Sequence, residues 1–97
     1  MKKIINTVKS PAPIGPYNQA ILKNNLLFIS GQIALDPVSM KLNNETIEEE
    51  TNQVMLNLKH ILNEAKMDFS NVVKTSIFLS DMDLFKDVND IYGKYVK

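Results

Sequence analysis

The chain has 97 residues, the length of one small domain, and its eleven basic and eleven acidic residues give a formal net charge of zero. It has no cysteine and a single histidine, which excludes disulfides, thiol nucleophiles, zinc–thiolate sites and a histidine-based metal cluster within one chain. No basic cluster indicates a nucleic-acid groove, no apolar run has the length of a membrane span, and the polar N-terminus lacks the pattern of a signal peptide. These features predict a soluble cytoplasmic protein with one domain, residues 1–97.

The first half of the chain has the pattern of a short strand followed by a β-hairpin. Residues 4–8 are rich in apolar side chains and predict the first strand. After a stiff proline-rich loop, residues 17–23 and 26–31 predict two further strands. Asn24-Asn25 lies between them, and asparagine tolerates the positive φ that a tight hairpin turn requires.

The second half predicts a helix, a strand and a second helix. Thr46 and Glu49 have the spacing of a capping box, and apolar residues at intervals of three and four predict a helix to about Ala65. Residues 71–79 are β-branched and apolar and predict a strand, after which Asp83 is predicted to cap the second helix. This order predicts an α+β fold with helices on one face of a sheet. The strand at 71–79 needs a neighbour, so we expect a partner strand from a continuation of the chain or from another subunit.

Three segments resemble the Rid family (YjgF/RidA, reactive enamine/imine deaminases, with the older name L-PSP endoribonuclease). They are IGPYNQA at residues 14–20, FISGQI at 28–33 and NVVKTSIFLSDMDLFKDVNDIY at 71–92. The resemblance implies a chorismate-mutase-like α+β fold, with two helices packed on one face of a mixed sheet. It also implies a homotrimer with its sites in clefts between subunits. The family places two further strands after the second helix, so we expect the domain at residues 1–97 to lack these C-terminal strands.

The resemblance further implies hydrolysis of 2-imino acids, such as 2-iminobutanoate and 2-iminopropanoate, to 2-oxo acids and ammonia without a cofactor or a metal. The family grips the substrate carboxylate with an arginine and positions water with a glutamate, both beyond the second helix. Neither has a counterpart here, because the chain contains no arginine and ends before both positions. The catalytic residues therefore stay unassigned, and we expect little activity from the 97-residue chain alone.

Four positions match family residues that border the cleft and are predicted to bind the substrate. Tyr17 belongs to the GPY motif, Ser30 and Gly31 belong to the SGQ motif, and Asn89 lies on the second helix. Each also has a purely structural interpretation, namely a half-buried loop tyrosine, a strand end with a bulge, and an exposed helical asparagine. His60 is predicted to lie on the flank of the first helix.

One departure from the family pattern is structural, because Lys66 stands where the family commonly has a glycine that ends the first helix. A side chain in the left-handed conformation costs on the order of 1 kcal/mol, so we expect strain or a different turn. Two other functions stay open: a non-catalytic ligand-binding or regulatory trimer of the same fold, and an endoribonuclease or translation inhibitor. The neutral charge and the absence of arginine argue against RNA as a partner.

Overall fold

The computed structural model describes residues 2–14 and 18–96. In chain order the elements are β1 (Lys3–Ile5), β2 (Ala20–Lys23), β3 (Leu26–Ile29), α1 (Ile47–Glu64) and α2 (Phe85–Tyr95). Short 3₁₀ turns at Phe69–Asn71 and Met82–Leu84 lie between the two helices. None of the helices in these two ranges is both long enough and apolar enough to span a membrane.

The strands form an antiparallel sheet in the order β1-β2-β3. Ile4 lies opposite Ile21, and Ile21 lies opposite Phe28, so these three side chains form a row across one face of the sheet. Asn24 and Asn25 have φ values of 52° and 67°, the left-handed conformation that a type I′ turn requires at both central positions. The predicted hairpin is confirmed, with shorter strands than its sequence pattern indicated.

Helix α1 packs on the other face of this sheet. Ile61 is fully buried and contacts Ile5 of β1 and Ala20 of β2 in the core of the molecule. Because side chains alternate across a strand, the same register leaves Ile4 and Phe28 on the outer face, with exposed fractions of 53% and 63%. Helix α2 packs against α1. The sheet is therefore covered by helix on one side and presents an apolar surface on the other.

The two helices begin differently. The N–H of Glu49 donates to Thr46 Oγ1 at 3.1 Å, as the capping-box spacing predicted. The prediction that Asp83 caps the second helix is wrong. Asp83 lies within the 3₁₀ turn Met82–Leu84, and its own N–H donates to Asp81 Oδ1 at 2.9 Å. Asp81 caps the 3₁₀ turn, which runs directly into α2, and α2 itself begins after Leu84 without a side-chain cap.

The predicted strand at residues 71–79 is not formed among the described residues. No described segment pairs with it, and Val73 and Phe78 are 90% and 95% exposed. A strand requires a neighbour that satisfies its backbone groups, so a β-branched sequence is not sufficient by itself. The hydroxyl of Tyr92 donates to Thr75 Oγ1 at 2.9 Å, which ties the segment to α2. Without this strand, the described sheet is antiparallel throughout and not mixed.

Helix α1 ends in a turn that normally contains glycine. Lys66 has a φ of 60°, in the left-handed region. The N–H of Met67 donates to the carbonyl of Leu62 at 2.8 Å, and the N–H of Lys66 donates to the carbonyl of Asn63 at 2.9 Å. These two hydrogen bonds define a Schellman motif. The turn therefore keeps the glycine-type geometry, and the strain expected from the sequence falls on Lys66.

Replacing Lys66 with glycine should stabilise the chain by about 1 kcal/mol, because glycine adopts this φ without the steric cost of a side chain. The free energy of unfolding from urea denaturation measures the effect. Lys59→Gly in the middle of α1 is the matched control and should destabilise the chain by about 1 kcal/mol. A Lys66→Gly variant less stable than the parent chain would contradict the Schellman geometry.

Candidate functional site

A small cavity lies where the proline-rich loop meets the loop after β3. Its volume is about 40 Å³, and its lining residues are Pro11, Ala12, Pro13, Gln19, Gly31, Gln32 and Ile33. Residues 11–13 are called the proline wall below, and residues 31–33 the glycine wall. On this measure about 10–15 Å³ is enough for one water molecule, so the cavity has room for water. A shallower cleft of about 400 Å³ adjoins it and shares Ala12, Pro13 and Gln19 with it.

Gln19 holds the segment that carries the proline wall. Its buried Nε2 lies within hydrogen-bond distance of three carbonyl oxygens, those of Pro11 at 2.8 Å, Thr7 at 3.0 Å and Ser10 at 3.2 Å. Its Oε1 accepts the N–H of Thr7 at 2.6 Å. Backbone groups buried outside a sheet or helix need partners, and here one carboxamide supplies them for an irregular segment.

Asn57 of α1 holds the glycine wall. Its side chain is fully buried, and Nδ2 donates to the carbonyl of Ile33 at 3.3 Å and to that of Leu35 at 3.0 Å. Its Oδ1 accepts from Gln53 Nε2 at 3.0 Å, so both polar atoms of the carboxamide have partners. The backbone carbonyl of Asn57 also accepts the hydroxyl of Ser10 at 2.6 Å. One helical residue thus contacts the segments on both sides of the cavity.

The structure places one of the predicted binding residues, Gly31, in the lining of the cavity, and Ser30 directly before it in the chain. A Cβ added to Gly31 would meet no described atom within 4 Å, so core packing does not require a glycine here. Ser30 precedes it, with its hydroxyl donating to the carbonyl of Asn18 at 2.6 Å and its N–H donating to the carbonyl of Gln19 at 2.9 Å. Because the Ser30 hydroxyl hydrogen is already engaged, Ser30 offers a ligand its oxygen lone pairs.

The other two predicted residues are not brought into the described lining. Asn89 is exposed on α2, next to the buried Val88, and does not line the cavity. Tyr17 lies outside the described residues, so its role stays a prediction.

The electrostatic character of the cavity is neutral. None of its described lining side chains is titratable. The sole histidine lies half-buried on the flank of α1, where partial burial, and then the charges of Lys9 and Lys59, lower the pKa of His60 from its ordinary value of 6.5. The imidazole of His60 is therefore neutral at pH 7, and it does not line the cavity.

Gln19 and Asn57 were not predicted from the sequence, because both hold backbone groups and neither has a reactive side chain. A signal was present for each. Asn57 falls three residues after Val54 and four before Ile61, which puts a polar side chain on the apolar stripe of α1. Gln19 lies within the segment IGPYNQA, whose other residues attracted attention first.

The chain is similar to other proteins over nearly its whole length. A family model described as endoribonuclease L-PSP matches residues 7–97. A RutC family protein of Synechocystis is 53% identical over 94 residues, which are 96% of this chain and 72% of that protein. The human 2-iminobutanoate/2-iminopropanoate deaminase is 44% identical over 97 residues, which are 100% of this chain and 71% of that protein.

Solved structures give the same result for the fold. The protein YyfA of Yersinia pestis, described as a protein of unknown function of the conserved Rid protein family, has a TM-score of 0.95 to this chain at 40% identity. The match covers 98% of this chain and 75% of that one. The α+β fold with two helices on one face of the sheet, as implied by the resemblance, is confirmed.

Replacing Gln19 with leucine should destabilise the chain by roughly 2–4 kcal/mol, since each hydrogen bond lost costs about 1 kcal/mol and buried carbonyls are left unpaired. Gln32→Leu is the matched control, because the Gln32 amide makes one described hydrogen bond, to the carbonyl of Ser30 at 3.1 Å. We expect the control to change the free energy of unfolding by less than about 1 kcal/mol. Equal losses in the two variants, measured by urea denaturation, would contradict the assigned role of Gln19.

Proposed function

The chain belongs to the endoribonuclease L-PSP family, which includes the Rid proteins, and from this membership we propose a function for it. The proposed function is the hydrolysis of small 2-imino acids, such as 2-iminobutanoate and 2-iminopropanoate. The products are the 2-oxo acids and ammonia. One observation carries the proposal: the match with the human 2-iminobutanoate/2-iminopropanoate deaminase, at 44% identity, spans all 97 residues, so the segments that form both walls lie within the matched region.

The character of the cavity supports a reaction that needs water but no strong acid or base. A protonated imine is already an electrophile at C2, and water adds there to give a carbinolamine. One proton then moves from the added oxygen to the nitrogen and the other is lost to solvent, the C–N bond breaks with its electron pair going to nitrogen, and ammonia leaves as the C=O bond of the 2-oxo acid forms. A site for this reaction has to place water and substrate together, which a small neutral cavity with rigid walls is suited to do.

The openness of this region supports a site that one chain does not complete. The cavity of about 40 Å³ shares Ala12, Pro13 and Gln19 with the shallower cleft of about 400 Å³, and both are open to solvent. We propose a homotrimer in which a neighbouring copy closes the cleft, as the family resemblance implies. The outer face of the sheet supports this assembly, since it carries the apolar residues Ile4, Leu26 and Phe28, each more than half exposed.

The proposed substrate contacts are the backbone and hydroxyl of Ser30, the open space at Gly31, and the side chains of Tyr17 and Asn89. All eleven basic residues among these 97 are lysines, so these residues supply no guanidinium to hold the substrate carboxylate through two parallel hydrogen bonds. A second candidate function, favoured by the lysine-only basic residues of this segment, is binding of a small 2-oxo or 2-imino acid by the same trimer without turnover. We propose a cytoplasmic protein, and the zero net charge of the 97 residues supports the absence of a nucleic-acid or membrane-surface partner.

The 97-residue chain should hydrolyse 2-iminobutanoate at least about a hundredfold less efficiently than the human relative. The two charge-assisted hydrogen bonds of a guanidinium grip contribute together about 3–6 kcal/mol, and each ~1.4 kcal/mol is a factor of ten in rate, so their loss costs at least about a hundredfold. In a coupled assay, a dehydratase generates the imine and semicarbazide traps whatever is not hydrolysed.

The control is a chimaera that adds the residues of the human deaminase lying beyond the matched region, and we expect it to regain activity. Full activity of the 97-residue chain would overturn the argument from the missing guanidinium. A folded chimaera that binds 2-oxobutanoate without turnover would favour the binding function over catalysis.

The wild-type chain should sediment as a trimer, and Phe28→Asp should dissociate it, because a carboxylate on the outer apolar face cannot be buried against a neighbouring copy without a large desolvation cost. Val38→Asp, on an exposed loop, is the matched control and should leave the trimer intact. Analytical ultracentrifugation of the three proteins decides the matter. A wild-type chain that is a folded monomer at micromolar concentration would contradict the proposed assembly.

A further inference from the structure

We propose that Asn57 is a positioning residue that sets the spacing between the proline wall and the glycine wall of the cavity. Both walls are irregular backbone, and each is connected by hydrogen bonds to this one residue of α1. The effect of this spacing on substrate binding and turnover rests on the proposed function. Its effect on the positions of the two walls rests only on the hydrogen bonds.

The connection to the glycine wall is direct. Asn57 Nδ2 has two hydrogens, and it donates to the carbonyls of Ile33 and Leu35, at the end of the wall and just beyond it. The segment that follows is closed by a turn in which the N–H of Leu35 donates to the carbonyl of Ile33 at 2.8 Å and the N–H of Asn43 donates to the carbonyl of Ala34 at 2.7 Å. Two residues of α1 therefore hold this loop: Asn57 through these two carbonyls, and Gln53 through its Oε1, which accepts from Asn43 Nδ2 at 3.4 Å.

The connection to the proline wall has two steps. The Ser10 hydroxyl donates to the carbonyl of Asn57 at 2.6 Å, across 47 residues of sequence. Ser10 is buried, and its own carbonyl lies 3.2 Å from Gln19 Nε2, which also donates to the carbonyl of Pro11 at 2.8 Å. Because the carbonyl of Asn57 belongs to the helical backbone, the hydrogen bond from Ser10 fixes the position of the proline wall relative to α1.

Burying the side chain of Asn57 costs free energy unless its polar atoms form hydrogen bonds. Its side chain is completely buried on the apolar stripe of α1, where leucine or isoleucine would pack without any polar atom to satisfy. Apart from the bond with Gln53 of the same helix, its carboxamide is directed at loop carbonyls. A wall displacement of about 1 Å changes the shape of a cavity this small, and misplacement of that size can cost about a hundredfold in rate.

Hydrogen exchange of the full 97-residue chain tests the positioning directly. The reporters are the N–H groups of Leu35 and Asn43 for the glycine wall, and that of Thr7, which is bonded to Gln19 Oε1, for the proline wall. Amides of the β2–β3 hairpin serve as the reference. Asn57→Leu removes the side-chain donors at similar volume, and we expect the Leu35 and Asn43 amides to exchange about tenfold faster relative to the hairpin.

Two further variants separate positioning from general loss of stability. Ser10→Ala removes only the bond to the Asn57 carbonyl, so it should accelerate Thr7 and leave Leu35 unchanged relative to the hairpin. Leu62→Ala, buried on the same helix, is the matched control and should accelerate all of these amides in proportion. The proposal would be overturned if Asn57→Leu accelerated the exchange of all these amides in proportion to the hairpin. It would also be overturned if Ser10→Ala left the exchange rate of the Thr7 amide unchanged. The second result decides the question if Asn57→Leu does not fold.

A binding measurement adds the functional part. In the wild-type chain, 2-oxobutanoate should shift the NMR resonance of the Gly31 amide. Asn57→Leu should weaken this binding about tenfold, by the ~1.4 kcal/mol that corresponds to that factor, whereas Leu62→Ala should bind as the wild type does. Equal binding by Asn57→Leu and the wild type would overturn the functional part. If the wild-type Gly31 amide does not respond, the proposed site fails, while the exchange data still decide the positioning proposal.

Discussion

Buried backbone carbonyls outside regular structure need donors, and in this chain two carboxamide side chains supply them. Gln19 serves the segment before β2, and Asn57 serves the loop after β3. The loop after β3 satisfies part of its backbone through the bridge between Leu35 and Leu42 and through its turns, and Asn57 adds donors for the carbonyls of Ile33 and Leu35. The shape of the cavity between the two loops, and any chemistry it supports, depends on these hydrogen bonds to the backbone carbonyls.

At the sheet, backbone groups and apolar side chains that need partners do not find them among the described residues. Residues 72–79 have a sequence suited to a strand, but no described segment offers the backbone groups that would make them one. On the outer face, the row formed by Ile4, Ile21 and Phe28 is apolar without a covering layer. Both surfaces are suited to burial, and a single copy of the described residues buries neither.

The neutrality of the cavity is informative about the reaction. Catalysis of a difficult step usually requires a group with a shifted pKa near the reacting atoms. Here the half-buried histidine is away from the lining, and its lowered pKa keeps it uncharged. A substrate that arrives already activated, as a protonated imine does, removes that requirement and leaves the placement of water and the grip on the carboxylate as the remaining needs.

Sequence patterns determined those features whose hydrogen bonds join residues a few positions apart. The Asn24-Asn25 turn, the Thr46 cap and the extent of α1 were all predictable, because each depends on local backbone preference. The SGQ motif likewise led to Gly31 in the cavity lining, although it gave no reason for the packing around it.

Tertiary structure alone decided the rest. The bond between Ser10 and Asn57 spans 47 residues, and those from Asn57 to Ile33 and Leu35 span 24 and 22, so no local pattern encodes them. The predicted strand at 71–79 was wrong for the same physical reason. A segment forms a strand, and a buried amide donates to a carbonyl, only if the fold brings a suitable distant segment within about 3 Å. That proximity is a property of the packed molecule and not of the local sequence.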